Sequence, residues 1–143
     1  MSRIRGRLWA SLVVVPLLSS CSTGDVQATD RFDTNISGKR VMEAYRVTAD
    51  AATTVTPPAT ARHFVISMDC VSDGGSIQVS LTGPPALDAY GEVPCQSTPN
   101  RGGPDGSVTI TLPDSVTSPV EKLHIAVDVP RHGSWSAAVD ARD

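Results

Sequence analysis

Aromatic residues are scarce in this chain: two Trp, two Tyr and two Phe make up 4% of 143 residues. So few rings leave neither a stacking surface for bases nor a platform for sugars. Lysine occurs only at Lys39 and Lys122. The first 20 residues hold Arg3, Arg5 and Arg7 and no acid. The remainder therefore carries nine basic against fifteen acidic groups, net −6. Such a chain lacks the counterion-release term that drives binding to polyanions, and no nucleic-acid partner is expected. An apolar run of 18 residues is also missing, so nothing is long enough to stay in a bilayer as a spanning helix. There is no Cys-x-x-Cys; the three cysteines stand apart at 21, 70 and 95. What is present is 40% hydrophobic residues, enough for one small core.

The amino-terminal segment reads as an address. Three alternating arginines precede the uncharged run Leu8-Trp9-Ala10-Ser11-Leu12-Val13-Val14-Val15-Pro16-Leu17-Leu18. As a helix that run would reach about 16 Å, half of a hydrocarbon core, which is the length of a signal-peptide apolar region. Leu18-Ser19-Ser20-Cys21 follows, an aliphatic residue three before a cysteine with two small residues between. This order matches the lipobox and resembles the precursor of a bacterial lipoprotein. The resemblance implies diacylglyceryl transfer to the Cys21 thiol, cleavage before Cys21 and acylation of the new amino terminus. Two or three acyl chains hold a protein stably at a membrane, each buried methylene contributing about 0.8 kcal/mol. The expected division is a signal peptide over 1–20, a lipidated cysteine and flexible tether over 21–41, and a folded domain over 42–143. The tether expectation rests on the polar stretch from Ser22 to Lys39, where Val26, Phe32 and Ile36 are the sizeable hydrophobes.

Beyond residue 60 the hydrophobic period is two. Ile77, Val79 and Leu81 alternate with Ser76, Gln78, Ser80 and Thr82. Val108, Ile110 and Leu112 repeat the pattern, as do Leu123, Ile125, Val127 and Val129, and then Trp135, Ala137 and Val139. Side chains alternate across a strand, so each segment predicts a half-buried strand with one wet face. His63 to Val71 is partly apolar on both parities and predicts a central strand. Arg40 to Thr56 predicts one or two edge strands, with a short helix as the alternative. Ser72-Asp73-Gly74-Gly75 and Pro130-Arg131-His132-Gly133 predict hairpin turns. Together these features predict an all-β, antiparallel β-sandwich, immunoglobulin-like or similar. Its expected core is Phe64, Ile66, Met68, Val79, Leu81, Ile110, Leu123, Ile125, Val127 and Trp135.

The resemblance extends in outline to small lipoproteins of actinobacteria: a strand ending in Cys70, a Gly-Gly turn, an alternating strand, Cys95 and a late Trp-Ser strand. If Cys21 is consumed by lipid, Cys70 and Cys95 are left as an even pair in an oxidising compartment. A Cys70–Cys95 disulfide is expected, two separate buried thiols being the other possibility.

Catalytic groupings are hard to find. Gly133-Ser134-Trp135-Ser136-Ala137 lacks the strand–turn–helix setting and the downstream histidine of a nucleophile elbow. His63, His124 and His132 lack metal-ligand spacing. The glycines at 102–106 lack the Gly-Lys-Ser/Thr of a phosphate loop. No catalytic residue, metal or cofactor is expected. The preferred expectation is a binding module at the outer face of the cell membrane, contacting an envelope protein or small ligand through sheet edges or loops such as 83–92 and 96–106. One alternative is an envelope enzyme using His63 or His124 with Asp128; another is a purely structural envelope component.

Overall fold

The period-two segments form eight strands: β1 (Lys39–Val47), β2 (Ala51–Val55), β3 (His63–Val71), β4 (Ser76–Gly83), β5 (Leu87–Pro94), β6 (Gly106–Thr111), β7 (Leu123–Asp128) and β8 (Ser134–Arg142). They are described by a computed structural model covering residues 27–30, 32, 38–84, 86–97, 106–130 and 132–143. Two four-stranded sheets result, with strand orders β1-β8-β3-β6 and β2-β7-β4-β5. Every ladder is antiparallel, and the pairs nest: β1 with β8, β2 with β7, β3 with β6, β4 with β5. The chain is thus a folded ribbon whose tip is the β4–β5 hairpin, rolled so that β3 also meets β8 and β4 also meets β7. That is the eight-stranded jelly-roll arrangement of a β-sandwich.

The all-β antiparallel sandwich expected from the alternation is therefore present, while its strand order departs from the seven-stranded immunoglobulin pattern. Two turns change meaning as well. Ser72–Gly75 joins β3 in one sheet to β4 in the other, and 129–133 joins β7 to β8 in the same way. Both are arches between layers rather than hairpins. Gly75 adopts φ +83°, and a Cβ there would sit 3.0 Å from Pro130 Cβ, so the two arches touch at one end of the sandwich. Segment 83–92, expected as loop, includes the last residue of β4 and most of the edge strand β5. The inward positions of β5 are Leu87, Ala89, Gly91 and Val93; a Cβ on Gly91 would lie 3.0 Å from Met68 Cε and 3.2 Å from Val108 Cβ. The sheets approach so closely at this point that a side chain here would have to push Met68 and Val108 of the opposite sheet aside.

Phe64, Ile66, Met68, Ile77, Val79, Leu81, Leu123, Ile125, Val127 and Trp135 are buried between the sheets, with Ile110 half-buried against them. Fully burying side chains of this kind contributes roughly 1.5–3 kcal/mol each. The Trp135 indole N–H donates to Ala49 O at 2.8 Å, which satisfies the one polar atom of the largest core side chain. β1 and β2 are both edge strands, one in each sheet, in line with the edge-strand expectation for 40–56.

Cys70 and Cys95 are disulfide-bonded, with Cα atoms 4.7 Å apart. Cys70 ends the inward row of β3, and Cys95 follows β5, so the bridge staples one sheet to the other. Backbone bonds flank it: Gln96 N–H donates to Cys70 O, Ser72 N–H to Gln96 O and Cys95 N–H to Gly75 O, each at 2.9 Å.

Candidate functional site

The chemically richest surface is the outer face of the β1-β8-β3-β6 sheet. In β3 and β8 every second residue points away from the core, namely Val65, Ser67, Asp69 and Val71, and Ser134, Ser136, Ala138 and Asp140. All are nevertheless buried. Part of the cover is supplied by Ala28, Thr29 and Phe32, which lie against this face. Ala28 and Phe32 are buried, and the Phe32 ring lies 5.7 Å from that of Tyr45 on β1.

The segment is held by its backbone. Ala28 N–H donates to Ser134 Oγ at 3.2 Å, and Thr29 N–H donates to the buried Asp69 carboxylate. Ser136 Oγ donates to Thr29 O at 2.6 Å, while Arg46 Nε donates to Ala28 O at 3.3 Å. Arg46 also pairs with Asp30 at 3.4 Å. Arg46 has φ 55°, within the register shift between Ala44 and Val47, and this turns its N–H to Ser136 Oγ at 3.0 Å. Side chains of β1, β3 and β8 thus read both N–H groups and both carbonyls of a dipeptide, without adding a strand to the sheet. Small outward residues on β8 are what let the backbone approach. β1 starts at Lys39, and Ala28 and Phe32, within the segment expected as tether, are buried.

A second feature lies at the opposite end of the same sheet. Gly38, Lys39, Pro58, His63, Thr109, Arg142 and Asp143 line an open groove of about 740 Å³. Register explains the assembly: His63 is opposite both Thr111 and Arg142, and Lys39 is opposite Ala141. The His63 ring is oriented by Thr111, with Nδ1 and Oγ1 3.0 Å apart. Neither Lys39 nor Arg142 forms an ion pair among the described residues, and Arg142 Nε is buried without a hydrogen-bond partner. Asp143 accepts a hydrogen bond from Thr60 Oγ1. Beside the groove, Arg40 makes a two-point contact with Asp140, which holds the Arg40 guanidinium above its ordinary pKa despite partial desolvation.

The remaining candidate residues are distributed as follows. Cys21 and the loop residues 98–105 lie outside the described residues. His63 sits in the groove; His124 faces solvent on the other sheet, 3.0 Å from Thr54 Oγ1; His132 lies in the arch before β8 with φ 65°. His63 lies in the other sheet from Asp128, whereas His124 and Asp128 share the exposed face of β7, four residues or about 13 Å apart along the strand. Among the described residues, no group of three or more His, Cys, Asp or Glu is placed to hold a metal ion, and no helix is long and apolar enough to cross a membrane. Comparison with protein-family profiles, with curated proteins and with solved structures finds no match to this chain.

Sequence reasoning missed both features. The dipeptide seat had one available signal, the run of Ser and Ala at the even positions of β8 beside an aspartate in a strand apolar on both parities. The groove had none, because Lys39, His63 and Arg142 meet only through the β1–β8–β3 register.

Proposed function

We propose that the mature protein is a non-catalytic binding module of the bacterial envelope, carried on the outer face of the cell membrane by lipid on Cys21. The observation that carries this reading is the fate of the three sulfurs. Two are joined across the sheets, which suits an oxidising compartment. The third follows an apolar run and Leu18-Ser19-Ser20, the order that lipid attachment requires. The test is intact mass of the detergent-extracted protein expressed with its own amino terminus. The expected species begins at Cys21 and carries a diacylglyceryl group and a further acyl chain. A Cys21→Ser chain of unaltered mass and unaltered partition into detergent would refute the anchor.

Binding is assigned to the groove around His63 and Arg142. Two cations without ion pairs among the described residues, Lys39 and Arg142, suit an acidic group on the partner, and a rigid sheet end holds them in place. A photo-crosslinking residue at exposed Thr109 is expected to capture a partner in intact cells, with capture lost in a Lys39→Ala/Arg142→Ala variant. Equal capture from position 90 on the other sheet would remove the groove from the assignment.

A further inference from the structure

We infer that the end of the sandwich carrying the arches 72–75 and 129–133 faces the lipid leaflet, and that the groove at the other end points away from it. This rests on the anchoring proposed above and adds to it which surface meets the membrane and which is left for a partner.

The argument is one of chain length. Six residues separate Cys21 from Ala28, the first residue held by the seat. Seven residue steps span at most about 25 Å when fully extended. As a flexible chain they average roughly 15 Å end to end. Ala28 is bonded to Ser134, the first residue of β8, beside the two arches. The nine residues of β8 from Ser134 to Arg142 then run about 27 Å toward the groove. For the groove end to touch the leaflet, the leash would have to run the whole length of the strand while fully extended.

Without the seat the geometry would be unconstrained. The leash would then run from Cys21 to Lys39, and it would join the body at Lys39, opposite Ala141, on the groove end. The dipeptide seat therefore moves the point of attachment from one end of the sandwich to the other. That gives a role to an otherwise unexplained investment of Ser134, Ser136, Asp69 and Arg46 in two residues of backbone.

The arch end is not built to insert. Among the described residues there, the exposed ones include Asp50, Asp73, Gly74, Gly75 and His132, and none is a large apolar side chain. With no large apolar side chain to bury among the headgroups, the surface faces the leaflet across water rather than inserting into it.

The test uses the full-length lipidated chain reconstituted in vesicles of phosphatidylethanolamine and phosphatidylglycerol containing a headgroup-labelled acceptor lipid. A fluorescent amino acid is placed by amber suppression at exposed Asp73, in the arch end, or at exposed Asp114, at the groove end. Energy transfer is expected to be about two-fold or more higher from 73 than from 114, given a leash shorter than the strand. Inserting a long Gly-Ser segment after Thr23 is expected to bring the two values together. Equal transfer from both positions with the native leash would overturn the orientation while leaving the anchor standing. Failure of the chain to sediment with vesicles at all would overturn the anchor, and the orientation with it.

Discussion

Arg40 on β1 grips Asp140 on β8 at two points, Nε to Oδ1 at 3.0 Å and Nη2 to Oδ2 at 3.2 Å. The carboxylate side is buried and the guanidinium is mostly so, at 5% and 18% side-chain exposure. Arg40 further donates to Glu43 and Tyr45, so the edge strand is bound to its neighbour by side chains as well as by its interrupted ladder. Removing one member of a buried pair leaves the other charge desolvated, and this costs more than the pair itself contributes. Arg40→Ala is expected to destabilise the fold by about 2 kcal/mol, less than for a fully enclosed pair. Asp140→Ala is expected to cost less than Arg40→Ala, because the longer side chain can swing into water. Urea titration of both variants and the double variant checks this; an additive double variant would show the two groups uncoupled.

The disulfide closes a separation of 25 residues and joins the two layers at the arch end. The chain-entropy argument gives a loop of this length roughly 3.5 kcal/mol. A Cys70→Ser/Cys95→Ser chain is therefore expected to lose about 3 kcal/mol, most of the stability of a marginal small domain. Chemical denaturation with and without reductant is the measurement. A midpoint that reductant leaves unmoved would show that the sheets hold together without the staple.

Gly91 is the point of closest approach between β5 and the opposite sheet. Gly91→Ala places a methyl 3.0 Å from Met68 Cε and 3.2 Å from Val108 Cβ. Met68 is flexible and can yield, but the Val108 Cβ cannot move without its backbone. The expected cost is about 1–3 kcal/mol by overpacking. Adding Val108→Ala should recover part of the loss, and thermal melts of the two single variants and the double variant measure how much. No recovery would place the strain in the β5 backbone itself.

How much of this was legible follows from what alternation can carry. Ile77-Val79-Leu81 and Leu123-Ile125-Val127 announced strands because each has one wet face and one dry one, and both rows are buried as expected. β5 was hidden because its inward positions include Ala89 and Gly91, which carry little apolar weight; glycine stands there because of a contact that only the folded pair of sheets creates. Ser72–Gly75 signals a sharp reversal, yet the same residues serve a hairpin within a sheet and an arch between sheets. Which of the two forms is decided by the nested pairing of distant strands, and this is why the jelly-roll order could not be read locally. Cysteine parity was informative, since Cys70 shares the inward row of Phe64, Ile66 and Met68. The groove required three residues from three strands to be brought together by register, information that no window of sequence contains.

The seat for Ala28 and Thr29 makes a prediction that separates a docked segment from a loose tether. Ser136 Oγ works in both directions, donating to Thr29 O and accepting from Arg46 N–H. Ser136→Ala therefore leaves the part-buried amide of the left-handed Arg46 without its acceptor and frees one carbonyl of the segment. Losing two part-buried hydrogen bonds of this kind costs about 1–3 kcal/mol in all. Phe32→Ala removes the apolar end of the same segment, which packs beside Tyr45. Hydrogen exchange on the soluble chain beginning after Cys21 reads both variants at the level of single amides. In the native chain the Ala28 and Thr29 amides are expected to be protected, since Ser134 and Asp69 accept from them. In either variant their exchange should accelerate by about ten-fold or more, in proportion to a local opening energy reduced by more than 1.4 kcal/mol. The amides of β4 and β7, in the other sheet, should keep their rates. Uniform acceleration everywhere would mean that the segment is part of the global folding unit, and native exchange at free-chain rates for Ala28 and Thr29 would mean that the seat is not occupied in solution.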